Sequence, residues 1–236
     1  MVTEKTELTT QEWQLVLTGE LLMFSLLGKF LLQIPEKKWV QAIYDEELFA
    51  EVPFAEQQPY VVEGVALLQR WGESFAGHLT QECLLALQAD YTRLFTGLVN
   101  VPVAPWESVF FTEERLVFQA QTQDVRAWYR RFGLEINNQF KEPEDHIGLE
   151  LTFIGHLAKL GVAALAENNE EAFQRAVAAQ REFAAEHLFL WAPLWCTLID
   201  QHAHTDFYRG LARIVHGALI EFAAVLNVNI PQRVRA

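Results

Sequence analysis

Residues 9 to 35 read TTQEWQLVLTGELLMFSLLGKFLLQIP, and this stretch decides the fold class. Its large apolar residues recur every three or four positions from Trp13 to Leu31, which is the period of a helix with a buried face. Thr9 and Glu12 form the S/T-x-x-E pattern that caps a helix start, and the proline at the end of the stretch stops the helix. The stretch therefore predicts a capped, amphipathic helix.

The same period recurs along the rest of the chain, without an alternating strand pattern or a long internal repeat. We therefore predict an all-α fold, in which residues 1–236 form a single helical bundle domain of about eight to ten helices. After the first helix, the predicted helices cover about residues 39–48, 59–77, 80–98, 113–132, 143–166, 170–186, 190–202 and 205–226. Gly133 and the Asn168-Asn169 pair are predicted to end helices, and a basic tail follows at 227–236.

The composition argues against several classes of partner. The formal net charge is -13, from 31 acidic and 18 basic residues, and this charge repels nucleic acid and anionic lipid surfaces. The most apolar stretch, Leu21 to Leu32, contains Lys29 and is too short to span a bilayer, so we expect no stable membrane insertion. Cys83 and Cys196 are isolated from each other in sequence, which fits a protein of the reducing cytoplasm.

Motifs that support catalysis or cofactor binding are missing from the sequence. No serine lies in G-x-S-x-G, no glycine-rich phosphate loop is present, and no glutamate stands three residues before a histidine. The pair His202 and His204, with His187 and Cys196 nearby in sequence, could gather a metal. Residues two apart do not share a helix face, however, so we expect no metal site, no cofactor and no enzyme activity.

Three features point to recognition of a peptide instead. An apolar stripe follows one helix face at about residues 91–98, a loop brings a proline and a tryptophan, and a later helix begins with an acidic run. Together they could form a groove with apolar walls and a carboxylate floor. The candidate contact residues are Tyr91, Leu94, Phe95, Pro105, Trp106, Glu142, Pro143, Asp145 and His146.

Each of these features also has a purely structural interpretation. The stripe could be ordinary core packing. Pro143 is expected in the first turn of a helix, where Glu144 and Asp145 would complement the helix dipole. His146 could form an ion pair with Glu150, four residues later.

The same residues carry a family resemblance. The sequence EPEDHIGLEL at 142–151 resembles the E-P-x-D-H signature of the TorD/DmsD family of cytoplasmic chaperones, which mature exported molybdoenzymes. Three further segments agree in order and spacing: YTRLFTG at 91–97, PWESV at 105–109, and the region from His187 through Trp191 and Pro193 to FYRGLA at 207–212. The resemblance spans about residues 91–222.

The resemblance implies a fold, a partner and a set of contacts. It implies an all-α fold with an N-terminal half at about 1–133, a hinge at about 134–142 and a C-terminal half at about 143–226, in a family where domain-swapped dimers are known. It implies binding of the twin-arginine signal peptide and apo form of an exported molybdenum oxidoreductase, of the dimethyl sulfoxide or trimethylamine N-oxide reductase type, before export. The candidate residues above match the peptide-contact positions, although Ala104 stands where several relatives have a proline.

The chemistry of the candidate residues suits such a ligand. Guanidinium groups prefer paired carboxylates, which Glu142 and Asp145 would supply. The apolar stretch after the arginines needs an aromatic-lined surface, such as Leu94, Phe95 and Trp106. Two alternatives stay open: a helical enzyme with a site at Asp145 and His146, and a structural bundle that forms a homodimer through its apolar loop.

Overall fold

The computed structural model describes residues 8–46, 48, 52, 57–75, 78–96, 101–111, 113–135 and 142–231. Within these ranges the chain forms nine α-helices and no strand, which confirms the predicted all-α bundle. The helices are α1 (Thr10–Leu32), α2 (Lys37–Asp45), α3 (Pro59–Glu73), α4 (Gln81–Tyr91), α5 (Ala120–Arg131), α6 (Ile147–Ala166), α7 (Glu170–Phe183), α8 (Phe189–His202) and α9 (Asp206–Leu226). A π-helical turn, Thr92–Thr96, extends α4, and a short 3-10 turn covers Glu107–Phe110.

The start of α1 has the predicted cap. The Thr9 hydroxyl accepts a hydrogen bond from the Glu12 backbone N–H at 3.3 Å, and the Glu12 carboxylate accepts one from the Thr9 backbone N–H at 2.7 Å. The helix ends at Leu32, before Pro35, as predicted. This reciprocal pairing satisfies two of the donors that a helix N-terminus leaves unbonded.

Two pairs of helices approach each other closely and organise the core. α1 lies along α6, and α3 lies along α9. A β-carbon on Gly28 of α1 would stand 2.5 Å from the carbonyl oxygen of Gly148 of α6, and one on Gly64 of α3 would stand 2.7 Å from that of Gly210 of α9. Because only glycine leaves this space, both contacts bring backbone directly against backbone.

The helices α1 and α6 are long and apolar enough to cross a membrane by length and composition alone. The core helices of a folded bundle meet the same test. Here 44% of the most apolar window of α1 and 50% of that of α6 are buried inside the protein. Burial in the core of the bundle therefore accounts for about half of each apolar window.

The helix predicted from about Glu113 begins later, at Ala120. Arg115 and Phe118 have φ values of 52° and 60°, and a non-glycine residue adopts this left-handed conformation only singly, outside helices. The prediction was wrong there because the apolar period continued through a segment that folds irregularly. The predicted stop at Gly133 is confirmed, since α5 ends at Arg131 and Gly133 has a φ of 71°.

The predicted start of α6 at Pro143 is also wrong. α6 begins at Ile147 with His146 as its N-cap residue, so Pro143, Glu144 and Asp145 precede the helix and do not form its first turn. The three residues form a turn that the His146 N–H closes onto the Pro143 carbonyl at 3.2 Å, and backbone hydrogen bonds at Asp145 and Ile147 join this turn to the segment around Pro105, as described below.

The predicted break between residues 186 and 190 does not exist. A π-helical turn, Ala184–Leu188, joins α7 directly to α8. A π turn adds a residue to one helical turn and so rotates the faces of the helix that follows. Here the buried residues include His187 within the turn and Trp191 just after it. The turn predicted at Asn168-Asn169 is confirmed, with Asn168 at a φ of 55° and Asn169 capping α7.

Several predicted features lie outside the described residues. They are the helix ends expected at Gly77 and Leu98, residues 136–141 of the expected hinge, and residues 232–236 of the basic tail. The division into two halves stays a prediction.

Candidate peptide-binding site

Two of the predicted recognition segments lie side by side. The backbone N–H of Glu107 donates to the carbonyl of Asp145 at 2.9 Å, and the N–H of Ile147 donates to the carbonyl of Pro105 at 2.8 Å. These two bonds form an isolated antiparallel bridge between Trp106 and His146. The bridge joins the proline-tryptophan loop to the acidic segment ahead of α6, as the groove prediction requires.

The Asp145 carboxylate fastens this junction from inside. It is fully buried, and its Oδ2 accepts a hydrogen bond from the Ser108 backbone N–H at 2.8 Å. Its Oδ1 accepts one from the Thr122 hydroxyl on α5 at 2.9 Å. A carboxylate with both oxygens bonded inside the protein is an anchor between segments. In the described conformation it is not accessible to a ligand guanidinium.

The His146 side chain caps α6. Its Nδ1 accepts a hydrogen bond from the Gly148 backbone N–H at 3.0 Å, and the residue is 2% exposed. Burial lowers the pKa of His146 to about 3, so the ring is neutral at physiological pH and can act as this acceptor. The alternative of an ion pair with Glu150 is wrong, because the Glu150 carboxylate accepts from the Trp191 indole instead.

The Glu144 side chain forms an ion pair with α5. Its carboxylate is bonded at both oxygens by the Arg126 guanidinium, at 2.9 Å on the Nη2 side. The Tyr129 hydroxyl donates to the Glu144 carbonyl at 3.0 Å. This two-point pairing fixes the orientation of the segment relative to α5.

Trp106 and Glu142 form the partly exposed surface of the junction. The Trp106 indole Nε1 donates to the Glu142 carboxylate at 3.2 Å, and both side chains are partly exposed. The Trp106 ring stands edge-on to the His146 ring, with centroids 6.3 Å apart. Burial raises the pKa of the Glu142 carboxyl, and the indole hydrogen bond opposes that rise. An aromatic ring and a carboxylate are thus presented together.

The predicted apolar stripe lies in the core. Leu94 and Phe95 are buried, and the Tyr91 hydroxyl donates to the Leu32 carbonyl at 3.1 Å. Phe95 stacks against Trp195 with centroids 6.1 Å apart. Burial raises the Tyr91 pKa, and the nearby Glu142 carboxylate raises it further. This cluster therefore lies next to the junction.

Of the nine predicted contact residues, seven are therefore buried in this conformation. They are Tyr91, Leu94, Phe95, Pro105, Pro143, Asp145 and His146. The structure gathers the loop and the acidic segment at one junction and shows the stripe as core. Contact of these residues with a peptide stays a prediction.

A buried polar network that the sequence patterns did not predict lies beneath the junction. The His187 ring nitrogen Nδ1 lies 3.0 Å from Oε2 of Glu107, and Trp191 Nε1 lies 3.2 Å from Oε2 of Glu150. Burial, and then the neighbouring carboxylates, raise the pKa of Glu150 well above its usual range. The signal was available, because Glu107, His187 and Trp191 all lie in the quoted resemblance segments.

No metal site accompanies this network. Within the part of the chain that the structure describes, no group of three or more His, Cys, Asp or Glu side chains could hold a metal ion. Asp145 and His146 make separate hydrogen bonds to backbone groups. That geometry gives the alternative of a catalytic site at these two residues no support.

The chain resembles known proteins over a range that includes the junction. The family described as nitrate reductase delta subunit matches residues 63–197, which is more than half of the chain. The matched range contains the junction, α5, and most of the buried network. The chain belongs to this family, that of the TorD and DmsD chaperones. The match begins within α3, further toward the N-terminus than the predicted resemblance, and ends at residue 197, before the predicted segment at 207–212.

Individual relatives carry both names. The chain is 29% identical to the chaperone protein TorD of Aliivibrio salmonicida over 135 residues, which cover 57% of this chain and 61% of that protein. It is 30% identical to the Tat proofreading chaperone DmsD of Salmonella typhi over 145 residues, covering 61% and 64%. A probable DmsD of Haemophilus influenzae is 29% identical over 142 residues. The chain thus spans somewhat less than two thirds of the length of these TorD/DmsD relatives.

Proposed function

We propose that this TorD/DmsD-family protein is a cytoplasmic chaperone for an exported molybdenum oxidoreductase. It binds the twin-arginine signal peptide and the apo form of a client of the dimethyl sulfoxide or trimethylamine N-oxide reductase type, and it supports cofactor insertion before export. The relatives named as chaperones support this proposal at the level of the family.

The observation that carries the proposal is the partly exposed pair of Trp106 and Glu142. A leader arginine would pair its guanidinium with the Glu142 carboxylate and lay its plane against the Trp106 indole. The apolar residues that follow would cover the remaining ring surface. Burial disfavours the ionised form of Glu142 when it has no cationic partner. An incoming cation therefore stabilises this carboxylate more than it would a fully hydrated one.

The buried candidate residues serve this surface as positioning residues. Asp145 holds the loop against the acidic segment, and His146 caps α6 so that the bridge to Trp106 keeps its register. Removing either would misplace the Trp106–Glu142 pair without removing a direct ligand contact. A direct role for them would require the junction to open.

The test is calorimetry with a synthetic leader peptide that contains two consecutive arginines and an apolar stretch. Trp106→Ala is expected to weaken binding by about 2 kcal/mol, as for an interface hot spot. Tyr60→Ala is the matched control, because Tyr60 is a 41% exposed aromatic residue on α3. Failure of the wild-type protein to bind the peptide would refute the function. Unchanged affinity in a folded Trp106→Ala variant would move the site elsewhere.

One observation favours the homodimer alternative as a second candidate. Leu116 and Phe118 follow the loop and are 50% and 57% exposed, and exposed apolar residues of this size occur at interfaces. A dimer held there predicts that Phe118→Ser gives a monomer in light scattering. A monomeric wild type would exclude this interface.

A further inference from the structure

Two chemically different clefts beside α7 share Arg131: one lies between α5 and α7, and the other lies between α6 and α7 at the end of α5. On one side of Arg131 a cleft of about 570 Å³ is lined by Asp124, Glu182 and Glu186. On the other side a cleft of about 600 Å³ is lined mainly by apolar residues. We call these the acidic end and the apolar end of the α5–α7 groove.

The side chain of Arg131 occupies the middle of the groove. Its guanidinium carbon lies 4.8 Å from the centroid of the Trp128 ring and 5.7 Å from that of Phe132. Its Nη1 lies 3.6 Å from Oε2 of Glu182, and its side chain is 57% exposed. A cation–π contact and an exposed ion pair are each weak, so another guanidinium could replace this one.

The acidic end has a buried acceptor at its base. His187 lines this cleft and is 5% exposed. Its Nδ1 is bonded to the Glu107 carboxyl group, and its Nε2 has no hydrogen-bond partner among the described residues. When the Nδ1–H of the neutral ring donates this bond, the Nε2 lone pair is left to accept. A guanidinium N–H is a suitable donor for it.

The apolar end continues the same groove along α7. Phe132 and the 37% exposed Leu160 line it, and the small side chains of Ala163, Ala164 and Ala176 leave it shallow. From Ala176 on α7 to Glu186 in the π-helical turn, the continuous helix rises by about 15 Å, which is room for four or five residues of an extended peptide. An apolar stretch fits this end because burying it removes apolar surface from water.

We propose that the α5–α7 groove binds a peptide segment in which arginine precedes an apolar stretch, with a ligand guanidinium displacing that of Arg131. The ligand guanidinium pairs with the carboxylates of Asp124, Glu182 and Glu186 and stacks on the Trp128 ring. The apolar stretch lies beside Leu160. This inference rests on the proposed function and extends its binding surface. The two surfaces are linked, since Trp106 of the junction adjoins Glu107, which bonds His187 at the groove.

Calorimetry with the same synthetic leader peptide tests the groove. Glu182→Gln with Glu186→Gln is expected to weaken binding at least about ten-fold, through loss of charge-assisted hydrogen bonds. Arg131→Ala is expected to tighten binding about three-fold, because it removes the internal competitor. The charge-matched control is Glu46→Gln with Glu73→Gln, two exposed residues away from the groove, and should change affinity less than about two-fold.

A peptide with lysines in place of both arginines completes the experiment. Lysine lacks the planar group that stacks on Trp128 and pairs at two points, so the wild type should prefer arginine and the groove variant should lose most of that preference. If the wild type binds but the groove variants bind equally well, or if Arg131→Ala weakens binding, the groove proposal is wrong and the proposed function stands. If the wild type does not bind, the proposed function itself fails.

Discussion

Replacing Glu20 by glutamine should stabilise the protein at neutral and alkaline pH. Glu20 lies on α1 with 2% exposure, and its Oε2 accepts a hydrogen bond at 2.8 Å from the side-chain amide of the fully buried Gln180 on α7. Burial raises the pKa of Glu20 from 4.5 to about 7, although the Gln180 hydrogen bond opposes this rise. The folded protein therefore holds a proton here that the unfolded chain has already released.

The sign and size of the effect follow from this difference. A raised pKa means that stability is highest below the unfolded value of 4.5 and is lost as the pH rises to about 7. Each pKa unit corresponds to about 1.4 kcal/mol, so the ionised carboxylate lowers the free energy of unfolding by about 3 kcal/mol at pH values near 8. Glutamine has the same shape and cannot ionise. Its amide can also donate to Oε1 of Gln180, which has no partner within the described structure.

Urea unfolding at several pH values between about 5 and 8 measures this effect. Near pH 5, the free energy of unfolding of the Glu20→Gln variant should match that of the wild type within about 1 kcal/mol. Near pH 8, it should exceed that of the wild type by about 2 to 3 kcal/mol. Comparing the two proteins at each pH cancels the other buried carboxyl groups, and Glu46→Gln serves as an exposed control. A constant difference across this range, or a variant that is less stable at pH 8, would refute the reasoning.

Three further outcomes are expected. Thr122→Val removes one of the two donors to the buried Asp145 carboxylate and should lower the free energy of unfolding by about 1 to 3 kcal/mol in urea titrations. Asp145→Asn should destabilise to a similar degree, because its amide can accept from only one of the two donors at its oxygen. Gly28→Ala places a β-carbon 2.5 Å from the Gly148 carbonyl oxygen. This overpacking should cost at least about 1 to 3 kcal/mol and lower the melting temperature, whereas an unchanged melting curve would contradict the close helix contact.

Local signals predicted the helices wherever a cap or a turn residue stood at the boundary. Thr9 with Glu12, the Asn168-Asn169 pair and Gly133 all end or begin helices as expected, since their side chains or conformations act within one turn. The start of α6 was misplaced because the backbone hydrogen bonds that fix Asp145 and Ile147 are made with residues 107 and 105, about forty positions away. Helical periodicity carries no information about such a partner.

The segments that meet at the junction could be predicted from the sequence, but the burial of their side chains could not. The family resemblance pointed to two segments that the structure places side by side, yet burial depends on which face of each segment the fold turns inward. Tyr91, Leu94 and Phe95 are apolar at helical spacing, and that pattern is the same for a core and for a groove. Only the packing of Phe95 against Trp195 decides between them, and the two are a hundred positions apart.

The buried network explains why resemblance and ligand contact need not coincide. Glu107, Asp145 and Glu150 each carry a carboxyl group into the interior, where hydrogen bonds to His187, Ser108 and Trp191 join segments that are distant in the chain. Removing one partner of such a bond leaves a buried polar group unsatisfied, at a cost of about 1 to 3 kcal/mol. These positions are therefore constrained by the fold whatever the client.

The exposed side chains around that network are not constrained in this way. Glu182, Glu186 and Arg131 are exposed at the groove, where a substitution costs little stability. Such positions can adapt to the leader of a particular client without disturbing the network beneath them. If the proposed function holds, client preference should follow the α5–α7 groove and the Trp106–Glu142 pair. Exchange of Asp145 or His146 should change stability before it changes which leader is bound.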